Sequence, residues 1–165
     1  MEGYGAESFS RSGSVNEVSA KSKVTLRCPF CLTLNDVDLG KTGDRPKCGD
    51  CAKPLLLDRP VRVGGEDFER TVLGSEAPVL VDFYADWCAP CKYVAPLMDE
   101  LAQTHEGRLL VVKVDTDQAP DLSQKWGVRS IPTVILFKEG EEVARSVGFE
   151  PEKLRNMAEE AVKPA

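Results

Sequence analysis

The stretch Val79-Leu-Val-Asp-Phe-Tyr-Ala-Asp-Trp-Cys-Ala-Pro-Cys-Lys92 decides the fold. Six of the seven residues in 79–85 are apolar or aromatic, which predicts a strand buried on both faces, as in a parallel sheet. After Cys91 the apolar residues recur at the spacing of one face of an amphipathic helix: Val94, Leu97, Met98 and Leu101. The cysteines therefore lie where a strand gives way to a helix.

The segment Cys88-Ala-Pro-Cys91 has the Cys-x-x-Cys spacing of a redox pair. Pro90 is tolerated there because the first N–H groups of a helix have no intrahelical partner, and those free N–H groups stabilise a thiolate at Cys88. Cys88 is therefore the predicted nucleophile. The alternatives are two buried structural cysteines or half of a metal site. The position of the pair between a strand and a helix favours the redox interpretation.

Two further pairs, Cys28-Pro-Phe-Cys31 and Cys48-Gly-Asp-Cys51, are separated by sixteen residues. This spacing predicts a zinc ribbon over residues 23–58, with one structural Zn²⁺ held by all four thiolates. The residues between the pairs are polar and rich in turn formers, so we expect little core in this module and a metal that keeps it folded. Two extra redox pairs or two disulfides are the competing interpretations.

The composition is that of an ordinary globular protein, with 165 residues, 42% hydrophobic and 29% charged. No apolar run approaches the roughly 20 residues that span a bilayer, so no membrane association is expected. The first residues lack an apolar signal-peptide core, which predicts a cytoplasmic location. In that reducing compartment cysteines serve as metal ligands or catalysts. Residues 1–22, rich in Ser, Gly and Glu, are predicted to form a disordered tail.

Charge differs between the two parts of the chain. Residues 21–62 contain nine Lys or Arg and five Asp or Glu, a balance of +4, whereas residues 63–165 contain eleven and nineteen, a balance of −8. A basic ribbon can bind nucleic acid. Binding to nucleic acid is nevertheless not expected, because Phe30 is the only aromatic residue of the ribbon and the acidic remainder would repel phosphates. The basic ribbon is instead free to lie on its acidic neighbour.

The apolar pattern of residues 59–165 alternates between strands and helices and ends with two strands and a helix, which predicts a mixed sheet with helices on both faces. Two single residues complete this prediction. Asp117 is expected to cap a helix that carries Leu122 and Trp126. His105, the only histidine, is expected to be exposed at the end of the helix that follows Cys91.

Several motifs together closely resemble the active site of the thioredoxins: Asp82, Trp87-Cys-Ala-Pro-Cys-Lys92, Ser130-Ile-Pro-Thr133 and Gly148. With its four additional cysteines, the chain resembles the second bacterial type of thioredoxin, which bears an N-terminal zinc ribbon. The resemblance implies an α/β thioredoxin fold over 59–165, with a mixed central sheet flanked by helices, preceded by the small zinc-ribbon module. One departure is Ala89 at a position where thioredoxins usually have Gly.

The resemblance implies that the protein reduces protein disulfides. Cys88 would attack the substrate, and Cys91 would then resolve the mixed disulfide. Asp82 would accept the proton of Cys91, since burial in an apolar strand raises the pKa of a carboxyl, and Lys113 would modulate Asp82. Pro132 would be a cis proline that supports the site. The implied substrate-binding residues are Trp87, Ala89, Pro90, Ile131, Pro132 and Gly148.

The implied electron source is NADPH, acting through a separate thioredoxin reductase, because the chain has no dinucleotide fingerprint and should bind no organic cofactor. A role in the stress response is also implied. Two other functions stay open at this point. The protein could be a disulfide oxidase or isomerase, which would need a less reducing pair, or a zinc-dependent redox-sensing binding module or holdase.

Overall fold

The computed structural model describes residues 22–163. The predicted disordered tail thus lies outside the described residues, except for Ser22. The first elements are the strands β1 (Lys23–Arg27) and β2 (Leu34–Asp38), which pair antiparallel, and a short 3₁₀-helix (Leu39–Asp44). They belong to the part of the chain that we call the four-cysteine module (residues 23–58).

The second sheet has five strands, in the order β3-β5-β4-β6-β7. Its strands are β3 (Val61–Arg62), β4 (Val79–Tyr84), β5 (Leu110–Asp115), β6 (Thr133–Lys138) and β7 (Glu141–Val147). Strand β4 runs parallel to β5 and antiparallel to β6, and β6 and β7 form an antiparallel hairpin. The predicted mixed sheet is therefore confirmed, with β4 at its centre.

Helices cover both faces of this sheet. They are α1 (Cys91–Thr104), α2 (Pro120–Lys125) and α3 (Pro151–Val162), together with a single π-helical turn at Glu69–Leu73. Within residues 22–163, no helix combines the length and the apolar character that crossing a membrane requires. The architecture is thus a thioredoxin fold preceded by the four-cysteine module.

Strand β4 is buried along its whole length, as its apolar sequence predicts. Because side chains alternate along a strand, its residues divide between two cores. Leu80 packs with the buried faces of α1 and α3, while Val81 and Phe83 belong to the core on the opposite side, which includes Phe68 of the π-turn region. The end of β4 is therefore held rigidly on both faces, which fixes the loop that leads to Cys88.

The four-cysteine module shares the core on the Phe68 side of the sheet. Its apolar side chains lie in one continuous cluster with Phe68, Val72 and Phe137, and they are Val24, Leu26, Val37, Leu39, Leu55 and Leu57. The sequence predicted little core within the module. The structure shows that the apolar residues of the module form a core together with the sheet. The hairpin of β1 and β2 directs apolar residues inward, and the neighbouring sheet completes the core around them.

An ion pair also ties the module to the sheet. The guanidinium of Arg27 on β1 donates two hydrogen bonds of 2.7 Å to the carboxylate of Asp67, and a third of 2.7 Å to the Leu32 carbonyl oxygen. Hydrogen bonding to Arg27 holds the pKa of Asp67 below its ordinary value. Such a planar fork fixes orientation as well as distance, so the hairpin has a defined direction on the domain.

His105 differs from its prediction, because it is buried rather than exposed. It ends α1, where its N–H donates to the Leu101 carbonyl and its own carbonyl accepts from the N–H groups of Arg108 and Leu109. Its Nδ1 is buried and has no hydrogen-bond partner among the described residues. A sequence pattern could not show this, since the burial depends on the tight turn that follows the helix.

The burial of His105 predicts a pH-dependent stability. Burial, and secondarily the charge of Arg108, lowers the pKa of His105 below its ordinary value of 6.5. At this site the unfolded chain then binds more protons than the folded chain as pH falls below 6.5, so His105 contributes a loss of stability on acidification. We expect His105→Gln to gain stability relative to the wild type between pH 7.5 and pH 5.5 in urea unfolding. The same pH dependence in the variant and the wild type would contradict the assignment, since the chain has no other histidine.

Candidate active site and metal centre

Cys88 and Cys91 are joined by a disulfide at the start of α1, with their Cα atoms 5.3 Å apart. The backbone N–H of Cys91 points at the Cys88 sulfur, with a distance of 3.2 Å between nitrogen and sulfur. Helix N-termini carry partial positive charge, and α1 is 14 residues long. When the pair is reduced, this arrangement favours the thiolate at Cys88.

Asp82 is a buried carboxyl on the strand that leads to the disulfide. Its side chain alternates to the same face as Leu80, beneath α1, and its Oδ1 has no hydrogen-bond partner within the part of the chain described. Burial raises the pKa of Asp82 to about 7, and the positive charge of Lys113 opposes this rise. A carboxyl with such a pKa can give and take a proton near neutral pH.

Lys113 lies on β5 directly beside Asp82 in the sheet register. Its ammonium is 4.6 Å from the centre of the Tyr84 ring, a cation–π contact, and no hydrogen bond joins it to Asp82 Oδ1. Lys113 thus acts on Asp82 through its charge. Tyr84 in turn packs with Cys88 and Cys91, so Lys113 contacts a side chain of the cluster that contains the disulfide.

A second loop closes over the disulfide. The Ile131–Pro132 peptide bond is cis, and the Ile131 carbonyl oxygen lies 3.8 Å from the Cys88 sulfur. Gly148 has φ +84°, which favours glycine, and its N–H donates to the Pro132 carbonyl at 2.8 Å. The structure therefore brings Ile131, Pro132 and Gly148 together beside Cys88.

Trp87 is 71% exposed, and Ala89 and Pro90 are also at the surface. The indole N–H of Trp87 donates a 2.9 Å hydrogen bond to Asp117 Oδ2.

The predicted cap role of Asp117 is wrong, because α2 begins at Pro120 after Ala119 with no side-chain cap. The sequence held one usable signal: Asp117 follows the carboxyl end of β5, the edge at which functional residues of parallel strands gather.

The other four cysteines converge within the module, with all four sulfurs within 4.8 Å of one another. The Cys28 and Cys51 sulfurs are 3.7 Å apart, and those of Cys31 and Cys48 are 3.5 Å apart. A tetrahedral zinc with sulfur ligands at about 2.3 Å requires sulfur–sulfur separations of about 3.8 Å. The donor set and its spacing therefore fit such a metal ion.

The surroundings of two of these sulfurs, those of Cys28 and Cys48, favour thiolates. Against the lowering effect of the Lys53 N–H, burial and the three neighbouring cysteine thiols raise the pKa of Cys51 to about 11. The N–H of Phe30 points at the Cys28 sulfur at 3.4 Å, and the N–H of Asp50 points at the Cys48 sulfur at 3.3 Å. The backbone N–H of Cys51, the Asn35 amide and the Asp50 N–H lower the pKa of Cys48 to about 6. The Asn35 side-chain oxygen also accepts a 2.9 Å hydrogen bond from the Gly49 N–H, so this side chain fixes the turn Cys48-Gly-Asp-Cys51.

Most of the chain is similar to known proteins. The Thioredoxin family model matches residues 59–160. Thioredoxin 1 of Nostoc sp. is 50% identical over 95 residues, which are 58% of this chain and 89% of that protein. The thioredoxin of Synechocystis sp. is 49% identical over 90 residues, 54% of this chain and 84% of that protein.

A solved structure is similar as well. A mutant thioredoxin from Halobacterium salinarum NRC-1 has 33% sequence identity and a TM-score of 0.59, and the match covers 67% of this chain and 97% of that one. These matches support a thiol-disulfide oxidoreductase. The family match covers the five-stranded sheet, α1, α2, most of α3 and both loops around the disulfide. The chain therefore belongs to the thioredoxin family.

Proposed function

We propose that this protein is a protein-disulfide reductase that works through the dithiol of Cys88 and Cys91. The observation that supports it most is the disulfide at the N-terminus of α1, where the Cys91 N–H points at the Cys88 sulfur. This geometry lowers the cost of a thiolate at one cysteine and leaves the second within bonding distance. Both are requirements of a two-step thiol exchange.

In the first step the Cys88 thiolate attacks one sulfur of the substrate disulfide. A new S–S bond joins Cys88 to the substrate, and the other substrate sulfur leaves as a thiolate that takes up a proton. In the second step Asp82 accepts the proton of Cys91, and the Cys91 thiolate attacks the Cys88 sulfur. The Cys88–Cys91 disulfide forms and the second substrate thiol is released, so two electrons have passed to the substrate.

The substrate would lie as an extended chain across the exposed residues beside the disulfide. Trp87, Ala89 and Pro90 form one side of this surface, and the Ile131-Pro132 loop with Gly148 forms the other. An extended peptide can pair with the Ile131 backbone in the manner of an added strand. Asp117 holds the Trp87 indole in place for this contact.

In the four-cysteine module we propose one structural zinc ion bound by Cys28, Cys31, Cys48 and Cys51. Bound zinc would supply a rigid tetrahedral cross-link and no redox chemistry. The chain contributes the Phe30 and Asp50 N–H groups and the Asn35 amide, which orient and stabilise the sulfurs of Cys28 and Cys48. The boundary of the module at residue 58 is part of this proposal.

The reducing equivalents would come from NADPH through a thioredoxin reductase, and we place the cycle in the reducing cytoplasm. The test is reduction of insulin by the protein with NADPH and thioredoxin reductase, followed at 340 nm, and in parallel with dithiothreitol. Oxidation of NADPH that requires both proteins supports the proposal. Turnover with dithiothreitol alone would overturn the proposed partner, and failure in both arms would overturn the reductase function.

Asp82→Asn should affect stability and catalysis in opposite directions. The folded-state pKa of about 7 lies above the ordinary value of 3.8, so the wild type loses stability as pH rises from 3.8 to 7. We expect the variant to be more stable by about 4 kcal/mol at pH 8 and to match the wild type near pH 4. The resolving step should slow on the order of 10²-fold at pH 7, because its proton acceptor is lost.

Urea unfolding at both pH values and single-turnover decay of the mixed disulfide measure these two effects. Asp99→Asn, which replaces an exposed carboxyl on α1, is the matched control and should change neither. A stability difference that does not grow with pH would mean that Asp82 is not a buried ionisable group.

A further inference from the structure

Two exposed aromatic side chains beside the disulfide have no role in the proposed chemistry. Tyr93 on α1 is 67% exposed and Phe149 is 48% exposed, and their ring centres are 6.0 Å apart with a 37° angle between the ring planes. Each ring thus covers part of the other while most of the pair faces solvent. Contiguous exposed apolar surface is costly in water and marks sites of interaction.

The backbone places this pair between the two loops that surround the disulfide. The Tyr93 N–H donates to the Pro90 carbonyl at 3.1 Å. Phe149 follows Gly148, whose N–H donates to the Pro132 carbonyl at 2.8 Å. A Cβ atom added to Gly148 would meet no atom within 4 Å, so the space above the backbone at Gly148 is open. The aromatic pair therefore continues the surface on which the substrate is proposed to lie.

We propose that Tyr93 and Phe149 form an aromatic shelf that selects substrates with an aromatic or aliphatic residue next to the attacked cysteine. The inference rests on the proposed reduction of protein disulfides and names the substrate class. In an extended peptide, alternate side chains point to the same side. A substrate that pairs with Ile131 and presents its cysteine to Cys88 can direct a neighbouring side chain onto the shelf.

The occupant is an apolar side chain because the shelf offers ring faces rather than charges. Neither ring belongs to a cation–π pair among the residues described, in contrast to Phe30, Tyr84 and Trp126. Aromatic side chains bury a large apolar area and favour offset or edge-to-face neighbours, so a further apolar or aromatic group can pack against the exposed ring faces. Tyr and Phe anchors of this kind account for much of the affinity of protein interfaces.

The test uses two peptides of identical sequence, except for Phe or Ser next to a single cysteine that is linked by a disulfide to glutathione. Pre-reduced protein is mixed with each peptide in a single turnover without reductase, and the released thiols are separated and counted. We expect the wild type to react about tenfold faster with the Phe peptide, which corresponds to burial of part of one aromatic ring. In Tyr93→Ser/Phe149→Ser the ratio of the two rates should fall towards one.

Val143→Ser is the matched control, because Val143 is 51% exposed at the far end of β7, and its ratio should stay at the wild-type value. If the wild type reduces both peptides at equal rates, the proposed aromatic shelf is wrong, whereas the proposed disulfide reduction still stands. A preference that survives in the double variant and in Tyr93→Ser would also overturn it. If the wild type reduces neither peptide, the proposed function fails together with the shelf.

Discussion

Cys88→Ser should lose disulfide reduction by at least about 10³-fold, because a serine hydroxyl is not ionised at neutral pH and cannot form the mixed disulfide. Cys91→Ser should also lose turnover, but for another reason. Its Cys88 can still attack, so it should accumulate a stable covalent complex with the substrate. The two variants thus separate the attacking from the resolving cysteine.

The structure gives the physical basis for this asymmetry. The N–H at the start of α1 points at the Cys88 sulfur, whereas Cys91 lies on the buried face of that helix and packs with Tyr84. Stabilisation of negative charge at the helix N-terminus is therefore available to Cys88 before substrate arrives. Cys91 becomes a nucleophile only after it transfers its proton.

The experiment is non-reducing electrophoresis and mass spectrometry of each variant after incubation with an oxidised protein such as insulin. A covalent adduct with Cys91→Ser and none with Cys88→Ser is the expected result. Cys88→Ser/Cys91→Ser is the control for adducts that form at the other four cysteines. Equal adducts with both single variants would contradict the assignment of the nucleophile.

Cys48→Ser should release the metal and lower the free energy of unfolding by several kcal/mol, since a structural zinc site contributes directly to folding. Cys48 is buried, and its sulfur accepts hydrogen bonds from the Asn35 amide and the Asp50 N–H, so its loss also leaves these donors unpaired. The damage should spread beyond residues 23–58, because Leu26 and Leu39 share a core with Phe68 and Phe137.

Metal content per chain and urea unfolding followed by fluorescence measure this effect. Trp126 contacts the rings of both Phe68 and Phe137, so its emission reports on the shared core. Lys41→Ser, a change at an exposed position of the module, should keep one zinc per chain and wild-type stability. A Cys48→Ser protein with one bound zinc and unchanged stability would contradict the metal site.

Cys48→Ser should change the rate of disulfide reduction far less than it changes the stability of the protein. The disulfide and helix α1 lie on the face of the sheet opposite to the module, and Asp82 faces that same side. At a temperature where the variant remains folded, reduction of insulin with dithiothreitol should therefore stay within about twofold of the wild type. A loss of activity that precedes unfolding would show that the two sites are coupled.

The sequence predicted those features that depend on local pattern. The apolar run of β4, the periodicity of α1 and the spacings of the cysteine pairs each reflect neighbours along the chain. These patterns, together with the family resemblance, predicted the fold and drew attention to the cysteine pairs. The burial of Asp82 could also be predicted from the local pattern. A strand with apolar residues on both of its faces has no face exposed to solvent.

Other features depend on residues far apart in the chain. Asp117 binds the indole of Trp87 thirty residues away, and Arg27 binds Asp67 forty residues away. Neither pair follows a helical or strand period, so no local pattern could predict it. The Tyr93–Phe149 contact belongs to the same class, and only the path of the chain around Gly148 brings the two rings together.

The shared core has a consequence for the order in which the chain is made. On the ribosome, residues 23–58 emerge first, whereas their apolar partners Phe68 and Phe137 follow later. Until then the hairpin lacks the side chains that cover Leu26 and Leu39. The four cysteines, in contrast, all lie within residues 28–51 and can meet as soon as that segment is free. A metal bound there would hold the nascent hairpin until the sheet forms, so binding of the proposed zinc during translation should raise the yield of correctly folded chains.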